Sequence, residues 1–128
     1  MTGILRVLLV DDHLLFRKGI KSLLAEQSDL RLAGEASDYW QAMQFLRANP
    51  CDVVVTDLSM PGRDGLELVA EISGKLKSRP KAVPIVVLTG GGPSAALQAI
   101  SRGAKHAILK GATSDDILVA IETAMTGA

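Results

Sequence analysis

The sequence is poor in the features that mark several common classes of protein. It has one cysteine, Cys51, so no intramolecular disulfide can form and this residue is expected to serve packing. Its 14 basic and 14 acidic residues cancel, whereas a domain that grips nucleic acid is usually strongly basic. No apolar run is long enough to cross a bilayer, and the N-terminus lacks a signal-peptide pattern. We therefore expect a cytoplasmic protein that binds neither nucleic acid nor membrane directly.

Aromatic residues are also scarce, at 3% of the 128 residues. Hydrophobic residues nevertheless reach 48%, which is enough for a packed core. That core must be mostly aliphatic, as is typical of buried parallel strands covered by helices. The length fits one domain over residues 1–128 and leaves little room for a second.

Short aliphatic runs alternate along the chain with segments of helical spacing. Asp38 and Ser114 are expected to cap helices, Gly103 to end one, and residues 66–77 to form another. The strict alternation predicts an α/β fold, in which a five-stranded parallel sheet is doubly wound, with helices on both faces. The predicted strands cover residues 7–10, 30–35, 51–56, 85–88 and 107–109.

Polar residues stand where four of these strands end. Asp11 and Asp12 follow the first strand, Asp57 the third, Thr89 the fourth and Lys110 the fifth. Ligands of open α/β sheets bind beyond the carboxyl ends of the strands. Each of these residues alone is ordinary, because an Asp after a strand is usually a turn former or a cap. Their joint placement is what indicates a site.

The chemistry of this set indicates phosphoryl transfer. Clustered carboxylates repel one another unless a cation is present, and Mg²⁺ prefers oxygen ligands. Asp57 can then act as a carboxylate nucleophile and form an aspartyl-phosphate. Lys110 and the Thr89 hydroxyl are suitable partners for the negative oxygens of the transferring group.

These residues lie in segments that carry a family signature. Residues 10–19 (VDDHLLFRKG) and 57–65 (DLSMPGRDG) resemble bacterial two-component response-regulator receiver domains. The segments 87–89 (VLT) and 103–112 (GAKHAILKGA) complete the pattern. The resemblance covers nearly the whole chain and is strongest to the branch that carries a C-terminal LuxR-type helix-turn-helix, although no output domain is recognisable in this chain.

The resemblance implies a flavodoxin-like receiver fold with strand order 2-1-3-4-5. It also implies a role for each site residue. Asp57 is the phosphoacceptor, and Thr89 and Lys110 contact the phosphoryl group and report its arrival. The implied Mg²⁺ ligands are Asp12, Asp57, the backbone carbonyl of Ser59, and Asp11 through water or as a second contact.

The resemblance further implies partners. The phosphate donor is a histidine kinase, or a small acyl phosphate in vitro. Phosphorylation would change a surface around the fourth helix and fifth strand and control an output such as transcription, through homodimerisation or contact with a LuxR-type DNA-binding domain. The domain is not expected to be an enzyme beyond its own Mg²⁺-dependent phosphorylation and dephosphorylation.

Several positions depart from the family pattern. Ala107 stands where an aromatic switch residue is usual, and its neighbour His106 cannot be assumed to replace it. Gly111 follows the lysine where proline is common, and the glycines at 90–92 predict a mobile loop. His13 lies beside the acidic pair, but a residue at a helix start more often points to solvent, and Mg²⁺ prefers oxygen.

Three alternatives remain open. A pseudo-receiver that works without phosphorylation is compatible with Ala107, although the complete polar set argues against it. A phosphohydrolase usually has a second Asp two residues after the nucleophile, and Ser59 stands there instead. A flavin-binding module of the same topology would need aromatic residues near the strand ends, which are scarce.

Overall fold

The structure is a computed structural model that describes residues 3–58, 65–75 and 83–126. Strands and helices alternate along the described chain, as the hydrophobic pattern predicts. Their bounds are β1 Leu5–Val10, α1 Leu14–Ala25, β2 Leu30–Ala36, α2 Tyr39–Ala48, β3 Val53–Asp57, α3 Gly65–Lys75, β4 Ile85–Thr89, α4 Pro93–Ser101, β5 His106–Leu109 and α5 Ser114–Thr126.

The strands form one parallel sheet in the order β2-β1-β3-β4-β5, which confirms the expected topology. The register places Val10 of β1 beside Thr56 of β3, and Leu88 of β4 beside Asp57. Because all the strands run in the same direction, their carboxyl ends lie along one edge of the sheet. This edge is where the polar residues that end β3 or follow β1 and β5 must meet.

The side chains of the strands divide between two buried clusters, one on each face of the sheet. Leu8 and Val10 point to a cluster that includes residues of α2, α3 and α4, whereas Val7 and Leu9 point to a cluster that includes residues of α1 and α5. Successive side chains of a strand point to opposite faces. A strand buried on both faces therefore has to be apolar throughout, and the scarcity of aromatics makes these clusters largely aliphatic.

Helix boundaries follow mostly from the local sequence. Asp38 caps α2, because its side chain accepts a hydrogen bond from the Gln41 amide at 2.8 Å, and Gly103 follows α4 with a φ of 120°. Both observations confirm the predictions. The predicted cap of α5 is wrong by one residue: Ser114 is its first helical residue, and the Thr113 hydroxyl accepts from the Asp116 amide at 3.2 Å.

Other boundaries shift by one or two residues. The third strand begins at Val53 rather than at residue 51, and Asp57 and Thr89 are the last residues of β3 and β4 rather than the residues after them. Helix α3 begins at Gly65, while its predicted end at residue 77 lies outside the described residues. No helix in the described part of the chain has the length and apolar character that a membrane span requires.

Candidate functional site

The carboxyl edge of the sheet brings three aspartates into one cluster. Asp11 and Asp12 follow β1, and Asp57 ends β3, which pairs with β1 in the sheet. The Asp11 amide donates to the Ala36 carbonyl at 3.0 Å, so the chain after β1 is still held by β2. Ligand atoms of Asp11, Asp12, His13 and Asp57 all lie within 4.8 Å of one another.

Lys110 lies between two of these carboxylates. Its ammonium donates to Asp57 Oδ2 at 3.1 Å and lies 3.0 Å from Asp11 Oδ2. Burial alone would lower the pKa of Lys110, but its contacts with Asp11 and Asp57 outweigh that effect and raise the pKa above its ordinary value. Lys110 is therefore a fixed positive charge at the site.

The negative charge at the site exceeds what Lys110 can neutralise. Asp11 and Asp57 are 1% and 2% exposed, so water solvates them poorly. Asp11 Oδ2 lies near the ammonium but receives no well-directed hydrogen bond. A buried carboxylate oxygen without such a bond is costly. This oxygen therefore indicates that the cluster is built to receive a further cation or donor.

His13 is exposed as predicted, but one of its ring nitrogens faces the acidic cluster. Its side chain is 61% exposed, as a solvent-facing residue would be, yet its Nδ1 lies 3.1 Å from Asp11 Oδ1 and 3.3 Å from Asp12 Oδ1. The His13 amide also donates to Asp11 Oδ1 at 2.7 Å. The predicted solvent exposure of His13 is confirmed, and the Asp11 carboxylate in addition holds the residue at the edge of the cluster.

Thr89 lies at the same edge and is 2% exposed. Its hydroxyl oxygen accepts from the Gly91 amide at 2.9 Å, and its carbonyl accepts from the Lys110 amide at 2.9 Å. Thr89 is thus hydrogen-bonded both to the loop that follows β4 and to the residue that follows β5. Of the predicted site residues, Ser59 lies outside the described part of the chain. The mobility predicted for residues 90–92 stays a prediction.

Two contacts at the site were not anticipated from the sequence. A Cβ built on Gly65 would lie 2.3 Å from the Asp57 carbonyl oxygen and 2.5 Å from Leu58 Cα, so α3 can approach the end of β3 only with glycine there. The Phe16 ring lies 4.6 Å from Lys110 Nζ, a distance typical of a cation–π contact. Phe16 has the helical spacing of a core residue, so the sequence pattern did not indicate its contact with Lys110.

The donor set fits a hard divalent cation. Carboxylate oxygens are the ligands that Mg²⁺ takes in proteins, usually one or two together with water and phosphate. The cluster offers such oxygens from three residues, and Asp11 Oδ2 is buried without a directed hydrogen bond. The residues present are therefore compatible with Mg²⁺.

Comparison with known proteins identifies the family. The response regulator receiver domain matches residues 7–122, and the chain belongs to this family. Among its relatives, the response regulator UvrY of Escherichia coli O6:H1 is 37% identical over 124 residues, which are 96% of this chain and 55% of the relative. The nitrate/nitrite response regulator protein NarL of E. coli K12 is 33% identical over 94% of this chain and 55% of its own length.

Solved structures agree with this assignment. A LuxR-family two-component response regulator of Aurantimonas sp. superimposes with a TM-score of 0.88 at 31% identity, over 98% of this chain and 87% of that one. The signal receiver domain of NarL from Mycobacterium tuberculosis gives 0.87 at 29% identity, over 98% and 99% of the two chains. The chain is thus a receiver domain of the two-component type, related to LuxR-family regulators. It spans about half the length of the curated relatives described above.

Proposed function

We propose that Asp57 accepts a phosphoryl group from the phosphohistidine of a histidine kinase in a Mg²⁺-dependent reaction. The observation that carries this proposal is the buried Asp11–Asp57 pair with the Lys110 ammonium between its oxygens, at 3.0 Å and 3.1 Å. A nucleophilic carboxylate, a fixed cation and unused oxygen ligands are together what phosphoryl transfer to a carboxylate requires.

The residues proposed to hold the ion are Asp12, Asp57 and the backbone carbonyl of Ser59, with Asp11 acting through water or as a second contact. Asp12 has a side chain that is 31% exposed, so it can be reached from solvent, whereas Asp11 is buried. The bound ion supplies charge neutralisation for the equatorial oxygens of the transferring group. The phosphohydrolase and flavin alternatives gain no support from this donor set.

The reaction proceeds by attack of an Asp57 carboxylate oxygen on phosphorus. An O–P bond forms, the P–N bond of the donor phosphohistidine breaks, and the imidazole leaves with the electron pair. The Lys110 ammonium, which now donates to Asp57 Oδ2, would pair with an incoming phosphoryl oxygen. The Thr89 hydroxyl accepts from the Gly91 amide, and its own O–H would donate to a phosphoryl oxygen. Water attack on phosphorus later releases phosphate and restores Asp57.

The proposed consequence is a changed surface over α4, β5 and α5. Exposed apolar side chains occur on all three of these elements. A groove of about 950 Å³ runs from Thr89 and Lys110 along β5 to α5, so the site adjoins it. The exposed apolar residues are Leu97, Ile100, Leu109 and Val119.

The output we propose is control of transcription, through a second copy of the domain or a LuxR-type DNA-binding domain. The relatives support this output: UhpA of Salmonella typhimurium, a transcriptional regulatory protein, is 32% identical over 94% of this chain. Ala107 is partly buried against the cluster beneath α2, α3 and α4. Its methyl group cannot change rotamer as an aromatic side chain does. In this proposal the signal is therefore transmitted by movement of the backbone segments that the hydrogen bond from the Lys110 amide to the Thr89 carbonyl joins.

The test is intact-mass spectrometry after incubation with acetyl phosphate and Mg²⁺. The expected result is one added phosphoryl group, removed by hydroxylamine as an acyl phosphate must be, and absent with chelator and in Asp57→Ala. Asp115→Ala is the matched control, because Asp115 is an exposed carboxylate in the first turn of α5. It should be modified as wild type is.

The opposite result would identify a pseudo-receiver. If Mg²⁺ binds, beryllofluoride excludes rapid hydrolysis, and no group is added, then phosphorylation is not the function of this domain. The search would then turn to a partner that recognises the unphosphorylated fold.

A further inference from the structure

The position of His13 is not explained by phosphoryl transfer alone. Its Nδ1 lies 3.1 Å from Asp11 Oδ1, 3.3 Å from Asp12 Oδ1 and 3.8 Å from Asp57 Oδ2. The ring is 61% exposed, so nothing in the core forces it toward the acidic cluster. A nitrogen donor therefore stands at the solvent-facing side of an oxygen cluster.

These distances have the scale found between ligands of one transition ion. With metal–ligand bonds of about 2.0 to 2.1 Å, two neighbouring ligand atoms lie about 3.0 Å apart in octahedral and about 3.4 Å apart in tetrahedral coordination. The separations from Nδ1 to Asp11 Oδ1 and Asp12 Oδ1 are 3.1 Å and 3.3 Å. The two separations from the His13 nitrogen thus match the spacing of ligands around one ion, and the ligand atoms of the whole cluster lie within 4.8 Å of one another.

Lys110 mainly contacts the other oxygens of the cluster. Its ammonium lies against the Oδ2 atoms of Asp11 and Asp57, whereas His13 faces the Oδ1 atoms of Asp11 and Asp12. The ammonium is nevertheless 3.3 Å from His13 Nδ1, so an ion there must repel it toward Asp57. His13, together with the Asp11, Asp12 and Asp57 carboxylates, forms a group whose ligand atoms all lie within 4.8 Å of one another.

We infer that His13 is a nitrogen ligand for a transition ion of the Zn²⁺ class, which binds with Asp11 and Asp12 in a mode distinct from that of Mg²⁺. This inference rests on the metal site of the proposed function and extends it. Imidazole suits Zn²⁺, Cu²⁺ and Ni²⁺, whereas Mg²⁺ takes oxygen. One cluster therefore has two ligand sets, and the identity of the ion decides whether His13 belongs to the set.

The first measurement is the nitrogen chemical shift of His13 in ¹⁵N-labelled, tag-free protein. Zn²⁺ alone should shift the His13 Nδ1 signal strongly, and Mg²⁺ alone should leave it nearly unchanged. The chain has two histidines, and the other, His106, has its Nε2 buried in β5. Its signals serve as the internal reference. A His13 signal that Zn²⁺ leaves unmoved overturns the inference.

The second measurement is calorimetric titration of each ion into wild type and His13→Asn. Asparagine offers oxygen in place of nitrogen, so it separates ligand chemistry from the loss of a side chain. Affinity for Zn²⁺ should fall by at least about tenfold, since loss of even an outer-shell partner costs that much, while affinity for Mg²⁺ should change by less than about twofold. Equal changes for both ions, or none for Zn²⁺, overturn the inference.

Asp12→Asn separates failure of this inference from failure of the proposed function. It should weaken binding of both ions, because Asp12 belongs to both ligand sets. If it weakens both and His13→Asn weakens neither, the metal site stands and only the role of His13 is wrong. If it leaves Mg²⁺ binding unchanged, the proposed metal site is wrong, and the inference is overturned with it. Circular dichroism of each variant confirms that it is folded.

Discussion

The Lys110 ammonium donates a hydrogen bond of 3.1 Å to Asp57 Oδ2, although the two residues are 53 positions apart in the chain. Asp57 ends a central strand and Lys110 follows the edge strand β5, so only the completed sheet brings them together. The contact joins the proposed nucleophile to its counter-charge and makes the stability of the domain sensitive to the groups of the site.

Lys110→Met should destabilise the domain at neutral pH by about 2 kcal/mol, because it leaves the buried Asp11 and Asp57 carboxylates without their cation. Urea unfolding without divalent ions measures the change, and added Mg²⁺ should restore part of it. Lys105→Met is the control: Lys105 is exposed, and its loss should change the free energy of unfolding by less than about 0.5 kcal/mol. Equal effects of the two substitutions would contradict the prediction.

Asp12→Asn should have the opposite effect on the ion-free domain and stabilise it by about 0.5 to 1 kcal/mol. The substitution removes one of three carboxylates whose ligand atoms lie within 4.8 Å, and their mutual repulsion falls. The same variant should gain less stability from Mg²⁺ than wild type does. Thermal unfolding with and without Mg²⁺ checks both parts. An unchanged gain from Mg²⁺ would show that Asp12 does not bind the ion.

Gly65→Ala should cost more than about 2 kcal/mol, because the added Cβ would lie 2.3 Å from the Asp57 carbonyl oxygen, which is backbone and cannot give way cheaply. Gly74→Ala in the same helix is the matched control. A Cβ there meets nothing within 4 Å, and alanine should stabilise the helix by about 0.5 to 1 kcal/mol. Urea unfolding of both variants should give changes of opposite sign. A neutral Gly65→Ala would mean that α3 can move away from β3 at little cost.

Thr113→Ala should destabilise α5 by about 1 kcal/mol, since the Thr113 hydroxyl accepts from the Asp116 amide and the Thr113 amide donates to the Asp116 carboxylate at 3.3 Å. Ser114→Ala should change stability by less than about 0.5 kcal/mol, because Ser114 is already inside the helix. Chemical unfolding of the pair decides between the two candidate caps. A larger loss for Ser114→Ala would restore the cap predicted from the sequence.

The domain should lose stability as the pH rises above about 9 because of Cys51. Burial raises the pKa of this thiol above its usual value of 9.0, so the folded state keeps the proton over a range where the unfolded chain releases it. The contribution is fully present below the unfolded pKa and is lost as the pH rises through the folded pKa. The free energy of unfolding of wild type should therefore fall more steeply with pH than that of Cys51→Ala. Parallel slopes would contradict the prediction.

The alternation of strands and helices and the two buried faces of the sheet were open to prediction because they depend on periodicity, whereas the strand order was implied only by the family resemblance. The helical spacing of the apolar residues in α2 indicates one buried face, and its members are all buried: Tyr39, Ala42, Met43 and Leu46. The same argument placed Asp11, Asp57 and Lys110 at one edge, because parallel strands end together. These inferences need only the side to which a side chain points.

Contacts that depend on one side-chain torsion, or on how closely two backbone segments approach, could not be predicted from the sequence pattern. Thr113 and Ser114 are both good caps, and the choice between them depends on where the chain leaves β5. The turn of His13 Nδ1 toward Asp11 depends on a rotamer, and the need for glycine at 65 depends on how closely α3 approaches β3. Sequence patterns determine neither a side-chain rotamer nor the distance between two packed elements.

The placement of Lys110 after the edge strand has a consequence during protein synthesis. The ribosome delivers the nucleophile Asp57 when more than half of the described chain, including β4 and β5, has yet to emerge. Until β5 docks on β4, a nascent chain has the carboxylates of the site without the ammonium that lies between Asp11 and Asp57. A truncated or half-folded product thus lacks a group on which the proposed signal depends. Incomplete chains should therefore be inactive in signalling, and no separate inhibitory element is needed to keep them so.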